Sequence, residues 1–235
     1  MNQEKFVSKC RRCGTCCEKG GPAFHIEDRQ LIEKGIIPTK FVYTIRQGEL
    51  AYDNIRRALL PVTTDVLKMK SRGETLCCIF YNEQEMACRI YENRPVECRA
   101  LKCWDTRELE DIFEKNRLTR KDLLAEVEGL WDLIDEHDRR CSYEKLGQLV
   151  ARLKQEKSNA IAGQIVEIVE YDNQLRKLVI ERGQLDPQIL DFLFGRPLEE
   201  TFHMFGLKIE RKEGKNARIL IRAFDFSTET PESAE

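Results

Sequence analysis

Residues 10–17 read Cys10-Arg11-Arg12-Cys13-Gly14-Thr15-Cys16-Cys17, and a second run, Cys77-Cys78-Ile79-Phe80, opens a segment that also carries Cys88, Cys98 and Cys103. Two cysteines with two residues between them can turn both sulfurs toward one ion, which is why the spacing recurs in zinc knuckles and iron–sulfur loops. Nine of the ten cysteines lie in the first 103 residues, and Cys141 stands apart. A chain of 235 residues can bury a sizeable core without disulfides, so the crowding asks for another explanation. In a reducing compartment that explanation is metal ligation.

The compartment is read from the rest of the chain. Residues 1–5 lead into no apolar stretch of the secretory type, and no run of about 18 apolar residues appears. The expectation is a cytoplasmic protein that spans no membrane. Lys plus Arg number 39 against 41 Asp plus Glu, a net charge of -2, which gives no general attraction for nucleic acid or anionic lipid. Basic residues outnumber acidic ones through the cysteine-rich half, and the balance reverses after it. Ligating thiolates would add negative charge that such surroundings offset.

Outward from the cysteines, the pattern predicts an α+β, mainly α, protein. Gly20-Gly21-Pro22 is a turn, a short helix starts near Glu27 with Leu31 and Ile32 apolar, and Gly35 comes after it. Residues 41–45 read as a strand, and residues 54–60 and 64–70 as helical turns separated by Pro61. A turn or short strand pair falls near residues 82–87, and Pro95 confines any helix to the residues after it. After Cys103 the period becomes helical. Leu109, Ile112 and Phe113 form one face, and Thr119 with Asp122 signals a helix start before a stripe of Leu123, Val127, Leu130, Trp131 and Ile134. The stripes continue at Leu146, Leu149, Val150 and Leu153, then at Ile161, Ile165, Ile168, Leu175 and Leu178, with Gly183 as a stop. Asp186-Pro187 starts a further short helix that Gly195-Arg196-Pro197 ends. A hairpin comes next, with Leu207 and Ile209 on one strand, a turn over residues 212–216, and Ala217, Ile219, Ile221 and Ala223 on one face of the other. The expected division is a metal-stabilised domain over 1–105, a helical region over 106–200, a β-hairpin over 201–226 and a disordered tail over 227–235.

Cys10, Cys13 and Cys16 resemble a bacterial ferredoxin loop, from which Cys17 departs, because ferredoxins place the next cysteine four residues on. Neighbouring residues are expected to point their side chains apart, so Cys16 and Cys17 would serve adjacent sites. The wider pattern resembles the cysteine-cluster family of zinc- or iron-chelating proteins with the CxxCxxCC signature. The resemblance rests on Cys10, Cys13, Cys16 and Cys17 with Gly21-Pro22 after them. It takes in Cys78-x-Phe80, Cys88-x-Ile90-Tyr91, Arg94-Pro95-x-x-Cys98-Arg99 and the closing Cys103, over about residues 8–105. It implies as metal ligands Cys10, Cys13, Cys16, Cys17, Cys78, Cys88, Cys98 and Cys103, enough for two four-ligand sites. It leaves Cys77 outside. A flagellin lysine N-methylase family has a similar cysteine region, which implies an iron–sulfur cluster within the wider group.

Arg94 and Arg99 fall inside the motif and are expected to direct N–H groups at the sulfurs or the bound cofactor. Arg11, Arg12, Arg89 and Lys102 adjoin cysteines too, with plain solvation the simpler reading for Arg11 and Lys102. Trp104 would shield the site from water. Cys141 lies seven residues after Ile134 and His137 seven after Leu130, so both read as core residues. His25 is a weaker candidate for ligation or proton transfer, and His203 has no partner pattern. There is no CxxxCxxC, GxGxxG or Walker A loop. The expected function is an iron–sulfur protein, with a 4Fe–4S cluster, that carries electrons or supports a protein-modification reaction. A zinc-stapled module that binds a partner is the alternative, and a lysine N-methylase-like enzyme is a third that the resemblance alone implies. A protein substrate or redox partner goes with these readings, and whether the chain is an enzyme stays open.

Overall fold

In the strand Val42–Ile45 (β1) and the strand Val66–Met69 (β4), alternate residues are buried: Val42 and Thr44 on one, Leu67 and Met69 on the other. The two pair antiparallel, Val42 opposite Met69 and Ile45 opposite Val66, so one face of the ribbon enters the core and the other is left for a cavity. Residue 10 and residues 13–73, 75–212 and 218–223 are described in this computed structural model. The donors expected at Arg11 and Arg12, the hairpin turn over 213–216, Ala217 and the tail over 227–235 lie outside them.

Around this ribbon the first half is built from small pieces. Helix α1 (Arg29–Glu33) precedes β1 and ends toward Gly35. Strands β2 (Leu50–Asp53) and β3 (Ala58–Pro61) form a hairpin, and β5 (Tyr81–Asn82) pairs with β6 (Ala87–Cys88). Residues 54–60 and 64–70 are therefore turn and strand, not the expected helical turns. Burial explains the correction: Leu67 and Met69 are buried while Val66 and Lys68 are not, a period of two that outweighs local propensity. Helix α2 (Val96–Ala100) starts after Pro95 as expected, its first N–H (Val96) donating to the buried Asp28 carboxylate at 2.9 Å.

Helices dominate from there. They are α3 (Arg107–Ile112), α4 (Arg120–Leu124), α5 (Leu130–Arg140), α6 (Tyr143–Glu156), α7 (Asn159–Gly183), α8 (Leu190–Phe194) and α9 (Leu198–Thr201), before the hairpin of β7 (Leu207–Lys212) and β8 (Arg218–Ala223). The content is 49% helix against 15% strand, so the mainly helical α+β expectation holds. Thr119 and Asp122 form the expected reciprocal cap. The stripe read through Val127 is interrupted, however: Gly129 is left-handed, α4 and α5 are separate, and Val127 is 44% exposed. Leu178, also expected inside, is exposed, while α7 ends at Gly183 as expected, with Gln184 left-handed after it. No described helix is long and apolar enough to cross a membrane.

Two apolar clusters organise the chain. The first joins Phe24, Ile37, Val42, Leu67, Met69, Cys78 and Tyr81 to Leu118, Ile134, Leu175, Phe192 and Phe194, so it draws on both sides of position 105. The second gathers Cys141, Leu146, Val150, Ile161, Ile165, Val169, Leu198, Phe202 and Ile209. Helix α7 runs through both; its 25 residues span about 37 Å. Buried polar groups tie the halves together. Arg120 donates to Asp65 and Asp138 at 2.6 Å each and to the Leu193 carbonyl at 2.7 Å. Arg46 stacks on the Tyr143 ring and donates to the Cys141 carbonyl at 3.1 Å.

Candidate metal centre

The first cysteine loop turns on Gly14. Its carbonyl accepts from Cys17 N at 2.7 Å and Glu18 N at 3.0 Å, and its φ of 82° is one that a side chain resists. A Cβ at Gly14 would also lie 1.9 Å from Tyr81 Oη, so the loop rests directly on the ring of β5. Gly21 is constrained in the same way, its missing Cβ falling 2.5 Å from the Met69 carbonyl of β4. The cysteine loop is thus pressed onto the ribbon and onto β5 by two close approaches.

The second segment meets it through the backbone. Cys78 N donates to Cys17 O at 2.7 Å, and Cys78 Sγ lies 3.3 Å from Met69 Sδ. Cys88 sits opposite Tyr81 across the β5–β6 pair, and Cys98 lies on α2. Cys10, Cys13, Cys16, Cys17, Cys78, Cys88, Cys98 and Cys103 all line one cavity of about 1860 Å³, whereas Cys77 and Cys141 do not. Cys77 is buried beside Cys78 instead, and Cys141 packs into the second core as expected.

The Cys16 and Cys17 side chains, both free thiols, share a hydrogen bond, which brings Cys16 down to about 6 and pushes Cys17 up. The expectation that these side chains point apart is therefore corrected: successive residues of a tight turn can present both sulfurs to one side. Burial pushes the thiols of Cys78 and Cys98 up; Cys98 is raised further by Cys78, Cys88 and Cys16. These groups stay protonated unless a cation draws the proton off, as metals do to coordinating thiols.

Arg94 lines the cavity, lies over the Tyr91 ring at 3.6 Å, donates to the Tyr91 carbonyl at 2.8 Å and contributes to lowering Cys16. Arg99 does not line it; its guanidinium donates to the Arg94 carbonyl and so braces the backbone that carries Arg94. Lys102 pairs with Glu108, and Arg89 lies away from the cysteine cavity. Trp104 lines the cavity and is 37% exposed, a partial cover over that end.

The histidines are engaged elsewhere. His25 is buried, with Nδ1 2.8 Å from Lys115 O and Nε2 3.4 Å from Glu97, and it does not line the cavity. His137 Nε2 bonds Asp172 Oδ1 at 2.8 Å, and His203 Nδ1 sits 2.6 Å from Glu200 O. Among the described residues, His137, Cys141 and Asp172 form the one group of three whose ligand atoms lie within 4.8 Å of one another. Its carboxylate already accepts from His137, from Arg176 Nε at 2.8 Å and from Leu198 N at 3.0 Å, so it is committed to a buried core network, in which His137 Nδ1 alone makes no hydrogen bond.

Two charged groups of the centre went unread in the sequence. Glu97, beside Cys98, accepts from Ala23 N at 2.7 Å and Arg117 Nη1 at 2.6 Å. Lys68 lines the cavity from the outward face of β4. Reading residues 66–69 as a strand would have found it, because period-two alternation sets Lys68 opposite Leu67 and Met69.

The family model described as CxxCxxCC, a "putative zinc- or iron-chelating domain", matches residues 9–145, more than half of the chain, and the chain belongs to that family. No curated protein and no solved structure matches it. Metal binding is the property that the family description brings to this cysteine-rich segment.

Proposed function

We propose that this member of the CxxCxxCC family holds an iron–sulfur centre on Cys10, Cys13, Cys16, Cys17, Cys78, Cys88, Cys98 and Cys103, in electron transfer or in support of a protein-modification reaction. One observation carries the reading: all eight motif cysteines line a single cavity, and the two cysteines outside the motif do not. The donor set fits such a group, because thiolate-only surroundings suit iron–sulfur clusters and zinc, and no histidine lines the cavity. The run Cys10-x2-Cys13-x2-Cys16, similar to a bacterial ferredoxin loop, supports iron–sulfur over zinc. When bound, the cluster would accept or release an electron; Cys16 and Arg94 would hold the exposed side, and Cys78 and Cys98 the buried one.

Zinc stapling is the second reading, favoured by the small two-stranded sheets of the first half, which a bound ion would hold together. Purification without oxygen separates the two. The iron–sulfur reading expects brown protein with broad absorbance near about 400 nm and with iron and sulfide bound. Colourless protein with stoichiometric zinc and no iron would replace it by the staple.

A further inference from the structure

We propose that Lys68 is a positioning residue of the cysteine centre, the fixed cation that balances the charge of the buried thiolates. The inference rests on the metal-binding reading of that site and adds to it a residue outside the cysteine motif.

The position is set by the ribbon. Leu67 and Met69 enter the core, so Val66 and Lys68 turn the other way, and both line the cavity together with Tyr43 and Ile45 of β1. Tyr43 is the cross-strand neighbour of Lys68. An ammonium is thus set, half-buried, into a largely apolar floor. Ala23 is bridged to Lys68 and donates its N–H to Glu97 of α2 at 2.7 Å, which brings that carboxylate to β4 at Lys68, and Arg117, Cys78 and Cys98 line the same cavity. Burial pushes the Lys68 ammonium down, and the charge of Glu97, Cys98 and Cys78 works the other way.

None of the protein groups satisfies it. The Lys68 ammonium makes no hydrogen bond or ion pair with any described residue, although it has Glu97 nearby. Glu97 is held by Arg117, Ala23 N and His25, and Arg117 repels a second cation. A half-buried charge left without a partner is costly. The groups remaining are Cys78 and Cys98. Both line the cavity with Lys68, and ligation would place negative charge on their sulfurs. Lys68 and the thiolates are then each other's compensation. Arg94 serves the other side, close to Cys16, so the two cations divide the centre between them.

The test uses the full chain loaded with its own metal, and compares Lys68→Met, Lys68→Gln and Lys68→Arg with Lys34→Met, a change of equal charge at an exposed position away from the cavity. Competition against a chelator at constant pH should show affinity falling about tenfold in Lys68→Met and Lys68→Gln, and recovering in Lys68→Arg. For an iron–sulfur centre, removing the cation disfavours the more negative reduced state. The potential should then drop, by 59 mV for each tenfold change in a one-electron couple. Folded Lys68→Met and Lys68→Gln proteins that match Lys34→Met in affinity would overturn this inference and leave the site reading standing. A wild-type chain that retains no metal would overturn the site reading, and this inference with it.

Discussion

The backbone N–H of Cys78 donates to the carbonyl of Cys17 at 2.7 Å, so the two cysteine segments are joined before any ion is considered. About sixty residues separate them in sequence. Closing a loop of that length costs entropy that grows only slowly with length, and the closure is supported here by the ribbon and by Tyr81 beneath Gly14. Metal binding at such a site begins from sulfurs already assembled round one cavity.

Replacing a cavity cysteine should therefore cost metal, whichever segment it comes from. Cys13→Ser, Cys88→Ser and Cys98→Ser should each lower bound metal per chain. Cys141→Ala, in the second core, should leave it unchanged and cost about 1 kcal/mol of packing. Elemental analysis with thermal unfolding reads both effects, and metal loss in Cys141→Ala with none in Cys98→Ser would reverse the assignment.

Gly14→Ala tests the loop without touching a sulfur. The new Cβ would meet both an unfavourable φ and the Tyr81 hydroxyl, so stability should fall by more than about 1 kcal/mol and metal content should fall with it. Adding Tyr81→Phe removes the hydroxyl and should recover part of the loss; full metal content in Gly14→Ala alone would show that the loop can form another way.

A chain ending at residue 105 would keep all eight motif cysteines but lose Leu118, Ile134, Leu175, Phe192 and Phe194 from the first core. It should stay unfolded with metal present, by circular dichroism and proteolysis. A compact, metal-loaded fragment would mean that the site organises its own domain.

Acid should weaken the protein through Asp172. Burial opposes its ionisation, but the His137 hydrogen bond and the Arg176 guanidinium outweigh that and hold it at about 2, below its ordinary 3.8. A depressed carboxyl contributes stability fully present above its unfolded value and lost as pH falls toward the folded one, here between about 4 and 2, worth about 2 kcal/mol. Asp172→Asn should remove that part of the acid slope. It should also cost about 3–5 kcal/mol at neutral pH, because Arg176 is left buried without its partner. Denaturant melts across the pH range would show both, and an unchanged slope would exclude Asp172 as its source.

The resemblance to the CxxCxxCC family picked out the eight cavity cysteines, because its combined motifs are chemically specific, and the stripes of α6 and α7 were legible because each buries one face over several turns. The cap at Thr119 was legible for a like reason, since its partners lie three residues apart. Other features depended on contacts between distant segments. Residues 66–69 became a strand because Val42, Thr44 and their neighbours offered a ladder, a choice that local propensity did not contain. His25 was drawn away from the sulfurs by Lys115 and Glu97. Arg99 was directed to a carbonyl, and Lys68 was turned into the cavity that the motif cysteines line. Sequence by itself determined which atoms could bind metal, since that is a property of residue type and spacing. Tertiary structure decided which charges surround them, because a long side chain takes its partner from whatever packing brings within reach.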